Sequence, residues 1–307
     1  MRVLVTGAGG FVGRAVIRRL ASEHVVIATT DRSLPPGVDG IEGDLADPIL
    51  QVRLLALQCD AIVHLATIPG GAAEADPARA WAVNVDVARV LADGAAAGRT
   101  ASGAPVRFVF ASSIAVLGDT LPTGGIDDTA PLAPSMLYGG HKALVETWLS
   151  VLSRRGELSA LALRLPGIVA RPNDGAGLKS AFMSDLFHAI RAGRRCELPV
   201  GPDATMWLMS AGRAADNIGH ALLLPHPALP SSPAITLPAL RVRMDDLVAA
   251  IEDHAGRAAQ IDYAPDPDIE RGFGRLPPLV AGAARSLGFS DDGDIGSLVR
   301  NAYGDEL

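Results

Sequence analysis

Along its first 165 residues the chain alternates short β-branched runs with stretches that repeat apolar side chains at helical spacing. The pattern predicts strands over 2–6, 24–30, near 40–43, 60–66, 106–112 and 159–165. Between them it predicts helices from residue 10, over 47–58, over 76–97 and over 135–154. Strand–helix alternation of this kind builds a parallel, doubly wound α/β sheet. The runs Ala61-Ile-Val-His-Leu-Ala66 and Val106-Arg-Phe-Val-Phe-Ala111 are almost wholly apolar. Strands covered by helices on both faces require that. After about residue 166 the texture changes: Pro166, Pro172 and a Gly/Asn/Asp segment precede a helix predicted over 178–193. Five prolines between Pro225 and Pro238 mark loops, and helical periodicity returns over 243–255 and 277–303. The expectation is therefore two parts, a sheet over 1–165 and a smaller mixed α/β part over 166–307 that returns some segments to the first.

Composition narrows the partners. The 307 residues are 49% hydrophobic and 20% charged, with a formal net charge of −7, as in ordinary globular chains. Lys and Arg are scattered rather than gathered in a stripe, so nucleic acid is not the expected partner. Cys59 and Cys196 stand far apart in no metal-binding arrangement, so neither a disulfide framework nor a metal site is expected. No apolar run approaches the ~20 residues of a membrane span, and no leader pattern precedes the first strand. The expected location is the cytoplasm.

Chemistry enters where the first strand meets glycine. Thr6-Gly7-Ala-Gly-Gly10-Phe-Val-Gly13 lies between a strand and a helix. A dinucleotide's pyrophosphate needs close backbone approach and the free N–H groups of a helix N-terminus, which Gly7, Gly10 and Gly13 permit. The second strand ends at Asp31, the expected distance for a carboxylate that binds the adenosine ribose and favours NAD over NADP. Arg32 beside it keeps a 2′-phosphate possible, and Asp31 could also be a turn residue. Later the chain reads Tyr138-Gly-Gly-His-Lys142, which puts a phenol and an ammonium one helical turn apart. A phenol of reference pKa ~10 is a poor base, but a neighbouring cation favours the phenolate. Ser113, at the carboxyl end of its strand, is placed to hydrogen-bond a substrate oxygen and is preferred over Ser112. Gly139 and Gly140 suggest that a ligand or strand comes close to the start of that helix.

Taken together, these motifs with Asp44-Leu45, His64-Leu65-Ala66 and Asn84 resemble the extended short-chain dehydrogenase/reductase superfamily, the NAD-dependent epimerase/dehydratase family. Tyr138-Gly-Gly-His-Lys142, Leu163 to Pro172 and Trp207-Leu-Met-Ser210 are similar to its D-erythronate dehydrogenase-like branch. The resemblance implies a Rossmann sheet with a substrate-binding lid, NAD as cofactor, and Ser113, Tyr138 and Lys142 as catalytic residues. It also implies cofactor contacts from Gly7, Gly10, Phe11, Val12, Gly13, Asp31, Asp44, Leu45, Leu65, Ala66, Thr67, Asn84, Tyr138, Lys142 and Pro166. For Asp44 a turn or helix-cap role stands equally with an adenine contact, and His64 is expected to be a core histidine. Ser113, Arg171, Asn173 and Ser180 are the expected substrate contacts, and Lys179 is as readily a solvated surface residue. The resemblance points to a small sugar acid or hydroxy acid oxidised at a secondary alcohol. Nucleotide-sugar epimerisation and a non-catalytic dinucleotide-binding regulator are the alternatives. The expected assembly is a homodimer through the helices over 76–97 and 135–154.

Overall fold

The computed structural model describes residues 1–172, 179–225 and 233–304. The first part of the chain runs β1 (Arg2–Thr6), α1 (Phe11–Leu20), β2 (Val25–Thr30), β3 (Gly40–Glu42), α2 (Pro48–Leu55) and β4 (Ala61–His64). It continues through α3 (Gly70–Ala75), α4 (Pro77–Trp81), a π-helical turn (Ala82–Asp86), α5 (Val87–Ala97), β5 (Arg107–Ser113), α6 (Leu137–Arg154) and β6 (Ser159–Leu165). Beyond these come β7 (Gly167–Ile168), α7 (Phe182–Arg191), β8 (Cys196–Leu198), β9 (Thr205–Met209), α8 (Ala211–Leu223) and β10 (Ala234–Thr236). The described chain finishes with β11 (Leu240–Arg243), α9 (Met244–Ala255), β12 (Ile261–Tyr263), α10 (Pro267–Ile269), α11 (Gly282–Ser286) and α12 (Ile295–Gly304).

The seven-stranded sheet has the order β10-β6-β5-β4-β1-β2-β3, and every neighbouring pair in it is parallel. The period of two along β1 decides which core each side chain joins: Val3 and Val5 face α1 and α8, while Leu4 faces α2 and α5. On the second face Ile62, Phe108, Phe110, Leu91 and Leu149 close the other apolar layer. This is the α/β architecture expected.

Three features differ from expectation. The long helix expected over 76–97 is broken by the π turn, and the loop-like proline region contains β10, which hydrogen-bonds β6 in register Ile235 to Leu163. Helix α8 was not anticipated, yet it packs on α1, with Ile218 and Leu222 buried beside Val16 and Leu20. A separate core joins α7, α9 and α12 to β8, β9 and β11. There β9 pairs with β11 antiparallel and with β7 parallel, and β8 pairs with β12. Among the described residues no helix is long and apolar enough to cross a membrane.

Candidate active site

The carboxyl ends of β1, β2, β4, β5 and β6 open into one cavity of 1040 Å³ roofed by the second core, where open α/β sheets bind ligands. Its floor is the glycine turn. Gly7 has φ +68°, and a Cβ there would stand 2.7 Å from the Ala66 nitrogen. A Cβ on Gly13 would stand 2.2 Å from the Gly7 carbonyl, so only glycine lets α1 sit this close to β1. Gly10 caps α1 without a side chain, leaving first-turn N–H groups for an anion. Phe11, Val12, Asp31, Asp44, Leu45, Leu65, Ala66, Thr67 and Pro166 also line the cavity. These surroundings fit a dinucleotide: a cradle that a Cβ would fill, with a carboxylate at the end of β2. Asp44 is tied down within its own surroundings, accepting from the Ala46 N–H at 2.9 Å and from Arg79 at 2.8 Å. Arg79 holds its carboxyl below the usual range. Asp47, rather than Asp44, caps α2.

At the carboxyl end of β5, Ala111, Ser112 and Ser113 face α6. The Ala111 carbonyl accepts from Lys142 Nζ at 2.7 Å. Ser112 Oγ donates to Glu146 Oε1 at 2.5 Å. Burial raises the Tyr138 phenol above its usual value, while the neighbouring Ser113 hydroxyl and the charge of Arg171 oppose the rise. Lys142 is 1% exposed, and burial brings its ammonium down to about 7 against the opposing pull of Glu146. Its Nζ lies 4.5 Å from the centroid of the Phe110 ring and 5.5 Å from that of Tyr138.

Beneath Lys142 sits His64, held down to about 3 by burial and then by the Lys142 charge. Its tautomer follows from its neighbour. Thr6 Oγ1 accepts from the N–H groups of Leu65 and Ala66 at 3.2 and 3.3 Å, so its proton points to His64 Nδ1 at 2.8 Å. That arrangement places the ring proton on Nε2, which is buried without a hydrogen-bond partner among the described residues. His64 is a neutral core histidine stacked on Phe110, as expected.

At the substrate end Arg171 and Ser180 line the cavity. Ala170 precedes Arg171 with φ +58°, a conformation that costs a residue bearing a Cβ about 1–2 kcal/mol. The Arg171 carbonyl is fixed by the His188 ring at 2.8 Å. Trp207, buried on β9, donates to the Pro277 carbonyl at 2.7 Å, and Phe273 and Leu276 from that segment complete the roof. Asn173 lies outside the described residues.

Residues 3–209 match the family described as NAD dependent epimerase/dehydratase family. The chain belongs to that family. It is an NAD-dependent enzyme of the extended short-chain dehydrogenase/reductase type. It is 31% identical to D-erythronate dehydrogenase of Cupriavidus necator over 319 residues, covering 98% of this chain and 97% of the relative. Its identity to D-erythronate dehydrogenase of Haemophilus influenzae is 28% over 313 residues, with 98% of each covered. Among solved structures, a nucleoside-diphosphate-sugar epimerase from Agrobacterium tumefaciens superposes with a TM-score of 0.89 at 28% identity, covering 100% of this chain and 94% of that one. A holo GalE-like L-threonine dehydrogenase from Cupriavidus necator, at 19% identity and a TM-score of 0.87 over 100% of both chains, shares the fold.

Against the site of an epimerase/dehydratase-family enzyme, three details depart from the sequence reading. Asn84 is not on the cavity wall: from the π turn it accepts from the Ile68 N–H at 2.7 Å and the Thr67 hydroxyl at 3.0 Å, and donates to the Ile68 carbonyl at 2.9 Å. It shapes the loop whose Thr67 faces the cavity, one shell behind it. Of the two helix glycines, only Gly139 meets a close neighbour, a Cβ there standing 2.4 Å from the Ala115 carbonyl; around Gly140 the space is open. Glu146 and Arg164 went unread, although Tyr138, Lys142 and Glu146 recur every four residues on an otherwise apolar helix face, a signal visible in the chain.

Proposed function

We propose that this enzyme is an NAD-dependent dehydrogenase that oxidises a secondary alcohol of a small, D-erythronate-like sugar acid or hydroxy acid, with Tyr138 as the acid–base group. The observation that carries the proposal is that Arg171 and Tyr138 line one cavity, with the Arg171 charge favouring the phenolate. A guanidinium at that place suits a carboxylate beside the reacting carbinol. The nearly full-length similarity to two D-erythronate dehydrogenases supports the same class. In this reading residues 1–165 hold the nucleotide and 166–307 the substrate, with Ser180 as a further polar contact.

Each side chain has a separate task. Ser113 orients the substrate hydroxyl toward Tyr138, and Tyr138 accepts its proton as the carbinol carbon is oxidised. Lys142, charged below about pH 7, favours the phenolate. When bound, NAD supplies the hydride acceptor. The glycine turn would hold its pyrophosphate and Asp31 its adenosine ribose, with Asp44, Leu45, Leu65 and Ala66 along the adenine side.

The deciding experiment compares a hydroxy acid, its methyl ester and UDP-glucose by NADH absorbance. The expected result is turnover of the acid with a large loss on the ester, because an ionised acceptor makes roughly twofold stronger hydrogen bonds than a neutral one. Equal rates for acid and ester would remove the role given to Arg171. Conversion of UDP-glucose without net NADH would favour the epimerase reading, which the Agrobacterium structure's name supports.

We further propose a cytoplasmic homodimer. Trp81 and Leu144 are 46% and 49% exposed on α4 and α6, and Leu137 and Trp148 extend the same apolar surface. Both cysteines are buried and free, which suits a reducing compartment.

A further inference from the structure

Of the three β5 residues that face α6, two lie beside Lys142 and Tyr138. The other, Ser112, meets Glu146, which is buried with both oxygens engaged. One oxygen accepts from Ser112 at 2.5 Å and from Arg164 Nε at 3.0 Å; the other accepts from Arg164 Nη2 at 2.8 Å. Among the described residues, the charged and titratable groups around Tyr138 and Lys142 can be named. From α6 itself come Tyr138, His141 and Glu146, from β4 the neutral His64, from β6 Arg164, and from the cavity side Arg171. Glu74 on α3 acts on His141. Glu146 thus pairs with Arg164 at 2.8 Å and acts on Lys142, one turn away on the same helix, through its charge. A buried ammonium without an anion within a turn gives up its proton.

We infer that Glu146 is a positioning residue that keeps Lys142 cationic and locks α6 against β5 in the register on which the Ser113–Tyr138 contact depends. The inference rests on Tyr138 being the acid–base group. Its consequence is a particular change in proton bookkeeping. Tyr138 and Lys142 lose their first shared proton as a pair, and the Glu146 carboxylate, one turn from Lys142, holds that loss at higher pH. With the carboxylate neutralised, the pair loses its first proton at lower pH, and more completely from Lys142. The active form, phenolate beside ammonium, becomes scarcer once that first proton is lost.

The chain offers an unusual handle, because its 27 Lys and Arg residues include only two lysines, Lys142 and Lys179. Lysine side chains labelled with nitrogen-15 or carbon-13 give two sets of NMR signals, and Lys179→Arg assigns them. In the wild-type protein the Lys142 signal should titrate near pH 7. In Glu146→Gln the midpoint should fall by at least about one unit, a tenfold change in proton affinity. The kcat plateau should fall about tenfold or more while its acid limb moves to lower pH, with KM for NAD little changed. An unmoved Lys142 titration or an unmoved acid limb overturns the inference.

Glu146→Gln also leaves Arg164 without its anion, so Glu146→Gln/Arg164→Met serves as the second variant. If Glu146 merely neutralised Arg164, this double variant would regain the wild-type Lys142 midpoint and pH profile. The inference expects both to stay displaced. Retained turnover in Tyr138→Phe would instead sink the acid–base assignment, and the NMR titration would still report whether Glu146 controls Lys142.

Discussion

Replacing Tyr138 with Phe removes one oxygen and leaves the ring that packs near Lys142. Turnover should fall by about 10²–10⁴-fold, the usual contribution of a general acid–base group, while calorimetric NAD binding stays within a few-fold; near-native kcat would refute the assignment. Asp31→Ala should narrow the preference in kcat/KM for NAD over NADP, since it removes the charge that opposes a 2′-phosphate. His64 gives a pH test. Its folded-state value of about 3 lies below the unfolded reference of ~6.5, so the unfolded chain binds more protons between these values. Stability is therefore lost as pH falls through that window. His64→Asn, which does not titrate, should flatten the decline of thermal midpoint between about pH 6.5 and 3 relative to wild type. At this scale the glycine turn and the Tyr138–Lys142 pair were legible, because covalent spacing alone sets which way such side chains point. Asn84 was legible in part: a polar residue inside a helix pointed to a contact near α6, where its amide lies 3.4 Å from His141 Nδ1, but the π turn that turns it away from the cavity wall leaves no periodic trace.

Among the elements, α6 behaves as the rigid carrier of the site, and β5 sets its register. Arg164→Met should destabilise the protein by about 3–5 kcal/mol by urea unfolding, the cost of leaving a buried carboxylate without its cation. A change under 1 kcal/mol would show that the Ser112 bond alone satisfies Glu146. The strands of the first half were readable because β-branched runs buried on both faces have no other economical conformation. The later strands were not: β7 to β12 are two to five residues long, too short for a period of two to register, and their partners lie far along the chain. Helix α8 did carry a signal in Ala214, Ile218, Ala221 and Leu222, but Asn217 and Gly219 within it are poor helix formers. Its stability comes from packing on α1.

For the whole molecule, ligand linkage offers a test that needs no substrate. At 100-fold excess over its dissociation constant NAD should stabilise the fold by about 2.7 kcal/mol, with NADP at the same concentration giving a smaller rise in thermal midpoint. Sedimentation at micromolar concentration should give twice 31.7 kDa, and Trp148→Glu should weaken that association. The position of β10 carries a consequence for how the chain is made. Strand β6 acquires its outer neighbour only when residues 234–236 arrive, about 70 residues after β6 itself, so a ribosome-bound chain exposes an unpaired and largely apolar strand edge. Such an edge invites pairing with another nascent copy. A chain ending at residue 225 should therefore collect in aggregates even though six of its seven sheet strands are present, and chaperone demand should peak during synthesis rather than in the finished enzyme.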